Sequence, residues 1–144
     1  MVRKSWDEYF ADIAIEVSMR STCPRLSVGA VLVRDKRIIS TGYNGVPVGV
    51  PHCVDVGCVL VDGHCSLVVH AEANAIRYCP VDTRYSTMYV THTPCVDCMK
   101  GMYDAGVRRI VYDGTYNPKD YAAILKLSSN EMPEVVKLIR DTAI

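Results

Sequence analysis

The segment MYVTHTPCVDCMKGMYDAGVRRIVY, residues 88–112, decides the fold, because apolar runs at both ends flank a helical stretch. The pattern predicts a strand over Thr87–His92, a helix over Cys95–Ala105 and a second strand over Val107–Tyr112. Gly106 stands where a glycine commonly ends a helix. A strand, a helix and another strand in this order are typical of a sheet with helices packed against it.

The sequence outside this segment continues the alternation of helices and strands. Ser5 and Glu8 have the spacing of a capping box at the start of an amphipathic stretch. Two β-branched runs joined through Asp35-Lys36 predict an antiparallel hairpin. The alternation implies an α/β fold whose sheet is covered on both faces. Outside the quoted segment we predict helices over Ser5–Arg20, His70–Tyr78 and Pro118–Leu127 and strands over Val28–Val33, Arg37–Thr41 and Glu134–Ile139.

Length and composition indicate one globular domain, residues 1–144. Of the 144 residues, 49% are hydrophobic and 22% are charged, and sixteen basic residues balance sixteen acidic ones. A general nucleic-acid binder normally carries a basic excess, so the balance argues against that class. The longest apolar runs outside a Gly/Pro loop have six residues, against about 20 needed to span a membrane. The N-terminus also lacks the apolar h-region of a signal peptide, so we expect a cytoplasmic protein.

Cysteine and histidine are concentrated in the middle of the chain. Between Gly42 and about Val69 we find no periodicity, only Gly, Pro, Cys and His, and a loop of this length is usually functional or stapled. Six of the eleven Cys and His residues lie between positions 52 and 70. Because disulfides rarely persist in a reducing compartment, such a cluster indicates metal ligands or catalytic groups.

Two short motifs at the starts of neighbouring predicted helices combine the residue types of a catalytic zinc site. His70-Ala71-Glu72 begins one helix, and Pro94-Cys95-Val96-Asp97-Cys98 begins the next. One imidazole and two thiolates provide three ligands, which leaves the fourth position of zinc open to water. Cysteines three residues apart at a helix start share a face and can meet one ion. Glu72 points about 200° away from His70 around a helix, so it suits a proton carrier better than a ligand.

Each motif taken alone has a simpler interpretation. Cys95-x-x-Cys98 is also compatible with a redox dithiol or with part of a structural zinc site. A single histidine at a helix start is more often a hydrogen-bonded structural residue, and a glutamate in the first turn complements the helix dipole. The combination of His70, Glu72 and the two cysteines in this order of strands and helices favours catalytic zinc.

The order H-x-E followed by P-C-x-x-C is the signature of the zinc nucleobase deaminases. The chain resembles the deoxycytidylate (dCMP) deaminase family over about residues 5–116. The segments that carry the resemblance are RSTCPRLSVGAVLV, GYNG, VDGHC, VVHAEANAI, MYVTHTPCVDC and AGVRRIVY. The resemblance implies a three-layer α-β-α sandwich of the cytidine-deaminase type, with a mixed five-stranded sheet.

The activity that the resemblance implies is hydrolytic deamination of dCMP to dUMP with release of ammonia, which supplies dUMP for thymidylate synthesis. His70, Cys95 and Cys98 would hold a catalytic Zn2+, which lowers the pKa of a water molecule from about 15.7 towards 7. Glu72 would carry protons from this water to ring nitrogen N3 and to the leaving amine. Free-nucleoside cytidine deaminases resemble C-x-E at the first motif, whereas this chain has His70.

The same resemblance suggests substrate contacts, each with an ordinary structural alternative. Asn44 in the GYNG segment would hold the sugar, and the main chain of Ala71 would hold the pyrimidine edge. Tyr116 and His92 would line the phosphate or sugar side, and Arg25 is our candidate for the phosphate. Asn44 is equally compatible with a left-handed turn, and Tyr116 and His92 are equally compatible with ordinary packing.

A second, structural Zn2+ is a further expectation from the resemblance. Some members of the family have a structural zinc in this region, where it would join the aperiodic loop to the turn after the first helix. Four of five candidate ligands would bind it, namely four of Cys23, Cys53, Cys58, His64 and Cys65. The alternative is a set of partly buried thiols, which pack well as small apolar groups. Cys79 is expected to be an ordinary core thiol.

Partners and rival functions complete the expectations. The resemblance suggests a homo-oligomer, often a hexamer, activated by dCTP and inhibited by dTTP with Mg2+. Met99, Met102 and Tyr103 are candidates for an interface or for the core. Rival functions are deamination of dCTP, a modified dCMP or deoxycytidine, and an inactive zinc-binding regulatory module. Editing of single-stranded nucleic acid needs basic and aromatic residues along a groove, and the absence of Lys and Arg from Ile38 to Ile76 argues against it.

Overall fold

The computed structural model describes residues 2–61, 64–114 and 134–140, and it describes only the main chain of Val54, His64 and Cys65. The helices in these ranges are α1 (Trp6–Ser18), α2 (Cys53–Val56), α3 (Ala71–Arg77) and α4 (Val96–Asp104). The strands are β1 (Gly29–Arg34), β2 (Arg37–Tyr43), β3 (Leu60–Val61), β4 (His64–Cys65), β5 (Thr87–Val90), β6 (Arg109–Tyr112) and β7 (Glu134–Lys137). No helix in these ranges is both long and apolar enough to cross a membrane.

Five of the described strands form one mixed sheet in the order β2-β1-β5-β6-β7, and β3 and β4 form a separate two-stranded hairpin. β1 pairs antiparallel with both β2 and β5. β6 pairs parallel with β5 and with β7. Together with the helices on its two faces, this sheet confirms the expected α-β-α sandwich.

The β1–β2 hairpin forms where the sequence predicts it. Asp35 and Lys36 make its turn with positive φ angles of 51° and 59°. Two such residues give the turn a backbone twist that matches the right-handed twist of the flanking strands. The pairing runs from Arg34 opposite Arg37 to Gly29 opposite Tyr43, so β2 is longer than its apolar run indicates.

Helix α1 covers one face of the sheet. Ser5 is its N-cap, because the side-chain oxygen of Ser5 accepts a hydrogen bond of 3.2 Å from the Glu8 N–H. Gly29 allows close packing, since a Cβ at this position would lie 2.0 Å from the Ala14 carbonyl oxygen. The core between helix and sheet consists of Phe10, Ala14, Val31, Val33, Tyr89 and Val111.

Helices α3 and α4 cover the opposite face, over the larger core. In β1 the side chains of Ala30 and Leu32 point into this core, whereas Val31 and Val33 point towards α1, as the two-residue period of a strand requires. Met99 and Met102 are fully buried here and belong to the core, and Cys79 and Tyr103 pack against it. The buried members are Ala30, Leu32, Ala71, Ala75, Met88, Val90, Cys98, Met99, Met102, Val107, Ile110 and Tyr112.

The structure corrects the prediction of an irregular stretch from Gly42 to Val69. β2 continues to Tyr43, and the stretch also contains α2 and the β3–β4 hairpin, which are too short to show periodicity in the sequence. An isolated antiparallel bridge between Gly45 and Val69 joins the beginning of this stretch to its end. The predicted helix over Pro118–Leu127 lies outside the described residues.

Candidate active site

Three side chains with metal-binding atoms converge at one edge of the sheet. The Nδ1 atom of His70 lies 3.1 Å from Sγ of Cys98 and 3.6 Å from Sγ of Cys95. All three ligand atoms lie within 4.8 Å of one another. Within residues 2–61, 64–114 and 134–140 this is the one group of three or more His, Cys, Asp or Glu side chains gathered so closely.

The geometry and the chemistry of these donors fit zinc. Bonds of about 2.0–2.1 Å to nitrogen and about 2.3 Å to sulfur place two ligand atoms of a tetrahedral zinc about 3.5 Å apart. The two N···S distances of 3.1 and 3.6 Å lie on either side of that value. One imidazole and two thiolates would hold the ion and leave one position for water or substrate. His70 is exposed and Cys98 is buried, so the group opens to solvent on the histidine side.

The sheet topology brings the two motifs together. Gly29 at the start of β1 pairs with Tyr43 at the end of β2, and Ala30 pairs with Val90 at the end of β5. The chain therefore leaves β2 and β5 at the same edge of the sheet. The N-termini of α3 and α4 meet at this edge, with His70 and Cys95 as their N-cap residues.

Shared hydrogen bonds favour the metal-binding form of one of the two thiols, Cys95. Hydrogen bonds from the Cys98 thiol, from His70 and from the Cys98 N–H lower the pKa of Cys95 to about 4. That N–H lies 3.4 Å from Cys95 Sγ in the first turn of α4, where the helix dipole favours negative charge. The bond to Cys95 in turn raises the pKa of His70. The hydrogen bond that the Cys98 thiol makes to Cys95, together with burial, raises the pKa of Cys98. The lowered pKa favours the thiolate form of Cys95, which is the form that binds metal.

Glu72 lies beside this group and is buried, with 4% of its surface exposed. Its carboxylate shares a hydrogen bond with the Cys98 thiol, and the positive charge of His70 favours its ionised form. Burial is the larger effect and raises the pKa of Glu72. A raised pKa lets a carboxyl group hold a proton more readily than an exposed one does, which suits a group that must both accept and donate protons.

Asn44 is buried, and main-chain groups occupy both ends of its amide. Its Nδ2 donates to the Leu26 carbonyl at 2.6 Å, and its Oδ1 accepts from the Val28 N–H at 2.8 Å. Its φ is not positive, so the alternative of a left-handed turn is wrong. The amide fixes residues 26–28 against the end of β2. A sugar contact by Asn44 stays a prediction, since each end of the amide has a second hydrogen-bonding position.

The other expected substrate residues lie in different settings. Ala71 begins α3, and the N–H of a first-turn residue has no acceptor within its helix. His92 is half-buried, its Nδ1 lies 2.8 Å from Thr91 Oγ1, and burial lowers the pKa of its imidazole. Arg25 is exposed in the loop before β1. Tyr116 lies outside the described residues. Their contacts with substrate stay predictions.

The expected structural zinc site is only partly described. Cys23 and Cys53 are buried, and Cys58 is half-buried. The side chains of His64 and Cys65 lie outside the described part of the chain, and a site with four of the five candidates needs at least one of them. No disulfide joins the cysteines that the structure describes. The second zinc therefore stays a prediction.

Two polar residues near the site escaped the sequence analysis. Asn74 in α3 donates to the Tyr43 carbonyl at 3.0 Å and to the Val69 carbonyl at 3.4 Å. Thr93 precedes Pro94, and its buried hydroxyl has no hydrogen-bond partner among the described residues. A signal for Asn74 exists in the sequence, because asparagine is a poor helix former within the otherwise favourable run AEANAI.

The sequence matches a family whose members share a zinc-binding region, in agreement with the group of His70, Cys95 and Cys98. Residues 4–113 match the cytidine and deoxycytidylate deaminase zinc-binding region, and the match includes both motifs. The chain belongs to the cytidine and deoxycytidylate deaminase family.

Individual family members resemble the chain over most of its length. It is 45% identical over 141 residues to ComE operon protein 2 of Bacillus subtilis, a match that covers 96% of this chain and 75% of that protein. It is 43% identical over 124 residues to the deoxycytidylate deaminase of Mycobacterium phage D29, covering 78% of this chain and 97% of the phage protein. The dCMP deaminase of cyanophage S-TIM5, crystallised with dCMP and dUMP, superimposes with a TM-score of 0.79 at 31% identity and covers 96% and 100% of the two chains.

Proposed function

We propose that this member of the cytidine and deoxycytidylate deaminase family hydrolyses dCMP to dUMP and ammonia, and so supplies dUMP for thymidylate synthesis. The observation that carries the proposal is the buried Glu72 carboxylate beside the His70, Cys95 and Cys98 donors. The similarity to two dCMP deaminases, one of them crystallised with dCMP and dUMP, supports the choice of substrate.

In the proposed reaction Glu72 moves two protons. Zinc held by His70, Cys95 and Cys98 would supply a Lewis acid that lowers the pKa of a water molecule from about 15.7 to about 7. Glu72 accepts a proton from the attacking water and delivers it to ring nitrogen N3, while the water oxygen forms a bond to C4 of cytosine. Glu72 then passes the second proton to the amino group on C4. The C4–N bond breaks, ammonia leaves, and a C4 carbonyl remains.

The substrate is proposed to lie along the sheet edge where α3 and α4 begin. The main-chain N–H of Ala71 holds the pyrimidine edge, and Asn44 holds the sugar. Arg25 contacts the phosphate, which the position of residues 26–28 against Asn44 supports. His92 and Tyr116 line the phosphate or sugar side.

We further propose a second metal ion, a homo-oligomeric assembly, nucleotide effectors and a cytoplasmic location. A structural zinc is held by four of Cys23, Cys53, Cys58, His64 and Cys65. The protein is a homo-oligomer, with a hexamer as the favoured form, and exposed apolar side chains such as Val56, Leu60 and Val61 support an interface between copies. dCTP activates and dTTP inhibits, each with Mg2+. Thiol ligands that must stay reduced support a cytoplasmic location.

The proposal is tested by following ammonia release and loss of cytosine absorbance with dCMP, dCTP, deoxycytidine and CMP in parallel. We expect fast turnover of dCMP and a much lower kcat/KM for the other three. Preference for another of the four would overturn dCMP as the substrate while leaving the chemistry in place. Absence of turnover with any of them, with zinc bound and dCTP present as activator, would favour the inactive regulatory module.

A further inference from the structure

Asn74 occupies a central place between the two chain segments that carry site residues. Its Nδ2 donates to the carbonyl of Tyr43 at 3.0 Å and to the carbonyl of Val69 at 3.4 Å. Tyr43 immediately precedes Asn44, and Val69 immediately precedes His70. One side-chain amide therefore holds the residue before the sugar-side candidate and the residue before a zinc-ligand candidate.

The same two segments are joined directly by main-chain hydrogen bonds. The Gly45 N–H donates to the Val69 carbonyl at 3.1 Å, and the Val69 N–H donates to the Gly45 carbonyl at 2.8 Å. The Val69 carbonyl thus accepts from both Gly45 and Asn74. Because α3 starts at Ala71, Asn74 belongs to its first helical turn. The helix that carries Glu72 therefore also binds the segments that end at Tyr43 and at Val69.

We propose that Asn74 is a positioning residue that fixes His70 relative to Asn44, and that it acts through the carbonyls of Val69 and Tyr43 without touching substrate or metal. This inference rests on the proposed function of the site. Its physical basis is that misplacing a reacting group by about 1 Å can reduce the rate about 100-fold. We expect the loss of a donor that holds two segments at once to change the geometry of the site more than the stability of the fold.

The chain offers a matched control for this proposal. Ser40 in β2 also bonds to α3, because its hydroxyl donates to the Ala75 carbonyl at 2.6 Å. This bond joins the same strand and helix, but neither of its ends adjoins a residue of the candidate site. Replacing Ser40 or Asn74 removes one hydrogen bond between β2 and α3. Only the replacement of Asn74 also removes the bonds to the residues that precede Asn44 and His70.

The experiment compares Asn74→Ala, Asn74→Asp and Ser40→Ala with the wild type. Asp keeps the volume of Asn but has no hydrogen to donate when ionised. We expect each Asn74 variant to lose at least about tenfold in kcat/KM for dCMP, mostly in kcat. Losses of this size are typical when a residue that orients a metal ligand is replaced. We expect the kcat/KM of Ser40→Ala for dCMP to stay within about twofold of the wild-type value. Its melting temperature should nevertheless fall by about as much as that of the Asn74 variants.

Amide hydrogen exchange on the purified full-length proteins provides a readout that does not depend on activity. Exchange at Gly45 and Val69 should accelerate in both Asn74 variants and stay at the wild-type rate in Ser40→Ala. Equal losses of kcat/KM in Asn74→Ala and Ser40→Ala, or wild-type exchange at Gly45 and Val69 in the Asn74 variants, would overturn the positioning role. If Asn74→Ala does not fold, Asn74→Asp decides on the same measurements. Failure of the wild type to turn over dCMP refutes the proposed function instead, and the exchange experiment still tests the role of Asn74 in positioning.

Discussion

Gly42 in β2 lies so close to Ala71 in α3 that a Cβ on Gly42 would stand 2.2 Å from the Ala71 carbonyl oxygen. The same Cβ would stand 2.4 Å from the Ala75 nitrogen. Because the neighbours are main-chain atoms, no side chain can move aside to make room. Ala71 lies between His70 and Glu72 in the sequence, so the contact with Gly42 sets how closely the zinc-ligand and proton-carrier candidates approach the sheet.

The first prediction is that Gly42→Ala destabilises the fold while Gly101→Ala does not. A methyl group at position 42 forces α3 away from β2, and overpacking of this kind costs about 2–3 kcal/mol in the free energy of unfolding. Gly101 lies in α4, and a Cβ there would have no atom of the described residues within 4 Å beyond its chain neighbours and its own helix backbone, so alanine should stabilise the helix by about 0.5–1 kcal/mol. Urea unfolding of both variants and the wild type measures the difference. A Gly42→Ala protein as stable as the wild type would show that α3 packs less closely than described.

The second prediction concerns the metal ligands. Cys98→Ser should lower the zinc bound per chain by one equivalent and abolish deamination, because the hydroxyl replaces a thiolate in a three-ligand set. Cys79→Ser is the control, since Cys79 packs beside the same core and its thiol donates only a weak 3.7 Å contact to the Ile39 carbonyl. Metal analysis of the purified proteins checks both. Full zinc content in Cys98→Ser would exclude Cys98 as a ligand.

The third prediction concerns the pH dependence of stability. Arg109 donates two hydrogen bonds of 2.8 Å to the Asp7 carboxylate, and Tyr89 donates a third of 2.7 Å. The bond from Arg109 lowers the pKa of Asp7 below its usual 3.8. Since the unfolded chain binds this proton more readily, the stabilisation is fully present above the unfolded pKa and is lost as pH falls through the lower folded pKa.

The measurement for this third prediction is thermal unfolding of Asp7→Asn from pH 7 to pH 2. We expect the variant to be less stable than the wild type by about 1–2 kcal/mol at pH 7, and we expect the difference to shrink below about pH 4. Asp82→Asn is the control, because its ion pair with Arg84 is exposed and contributes little to stability. A difference between Asp7→Asn and the wild type that stays constant with pH would contradict the account.

The sequence predicts those parts of the fold and site that depend on local patterns. α1 and the β1–β2 hairpin follow from apolar periodicity and from the Asp35-Lys36 turn. His70, Cys95 and Cys98 are found because each motif places its donors at the start of a helix, where spacing along the chain fixes them. The combination of motifs then identifies the site.

The remainder depends on contacts between residues far apart in the chain. The amide of Asn44 is held by main-chain groups that lie 18 and 16 positions away, and Asn74 bonds to a carbonyl 31 positions away. Neither interaction leaves a periodic pattern, because it depends on where the sheet edge brings the segments. α2 and the β3–β4 hairpin escape prediction for another reason, since elements of two to four residues span about one period and cannot show a repeating pattern.

The most direct test of the account replaces the Glu72 carboxylate alone. Glu72→Gln keeps the volume of the side chain but cannot accept a proton, and loss of a general acid–base group typically costs about 100- to 10,000-fold in rate. Zinc content and dCMP turnover should be measured on the same preparations of wild type and variant. The account predicts equal zinc content and a loss of kcat in that range for the variant. Turnover near the wild-type rate by a zinc-loaded Glu72→Gln protein would contradict the assignment of Glu72 as the proton carrier.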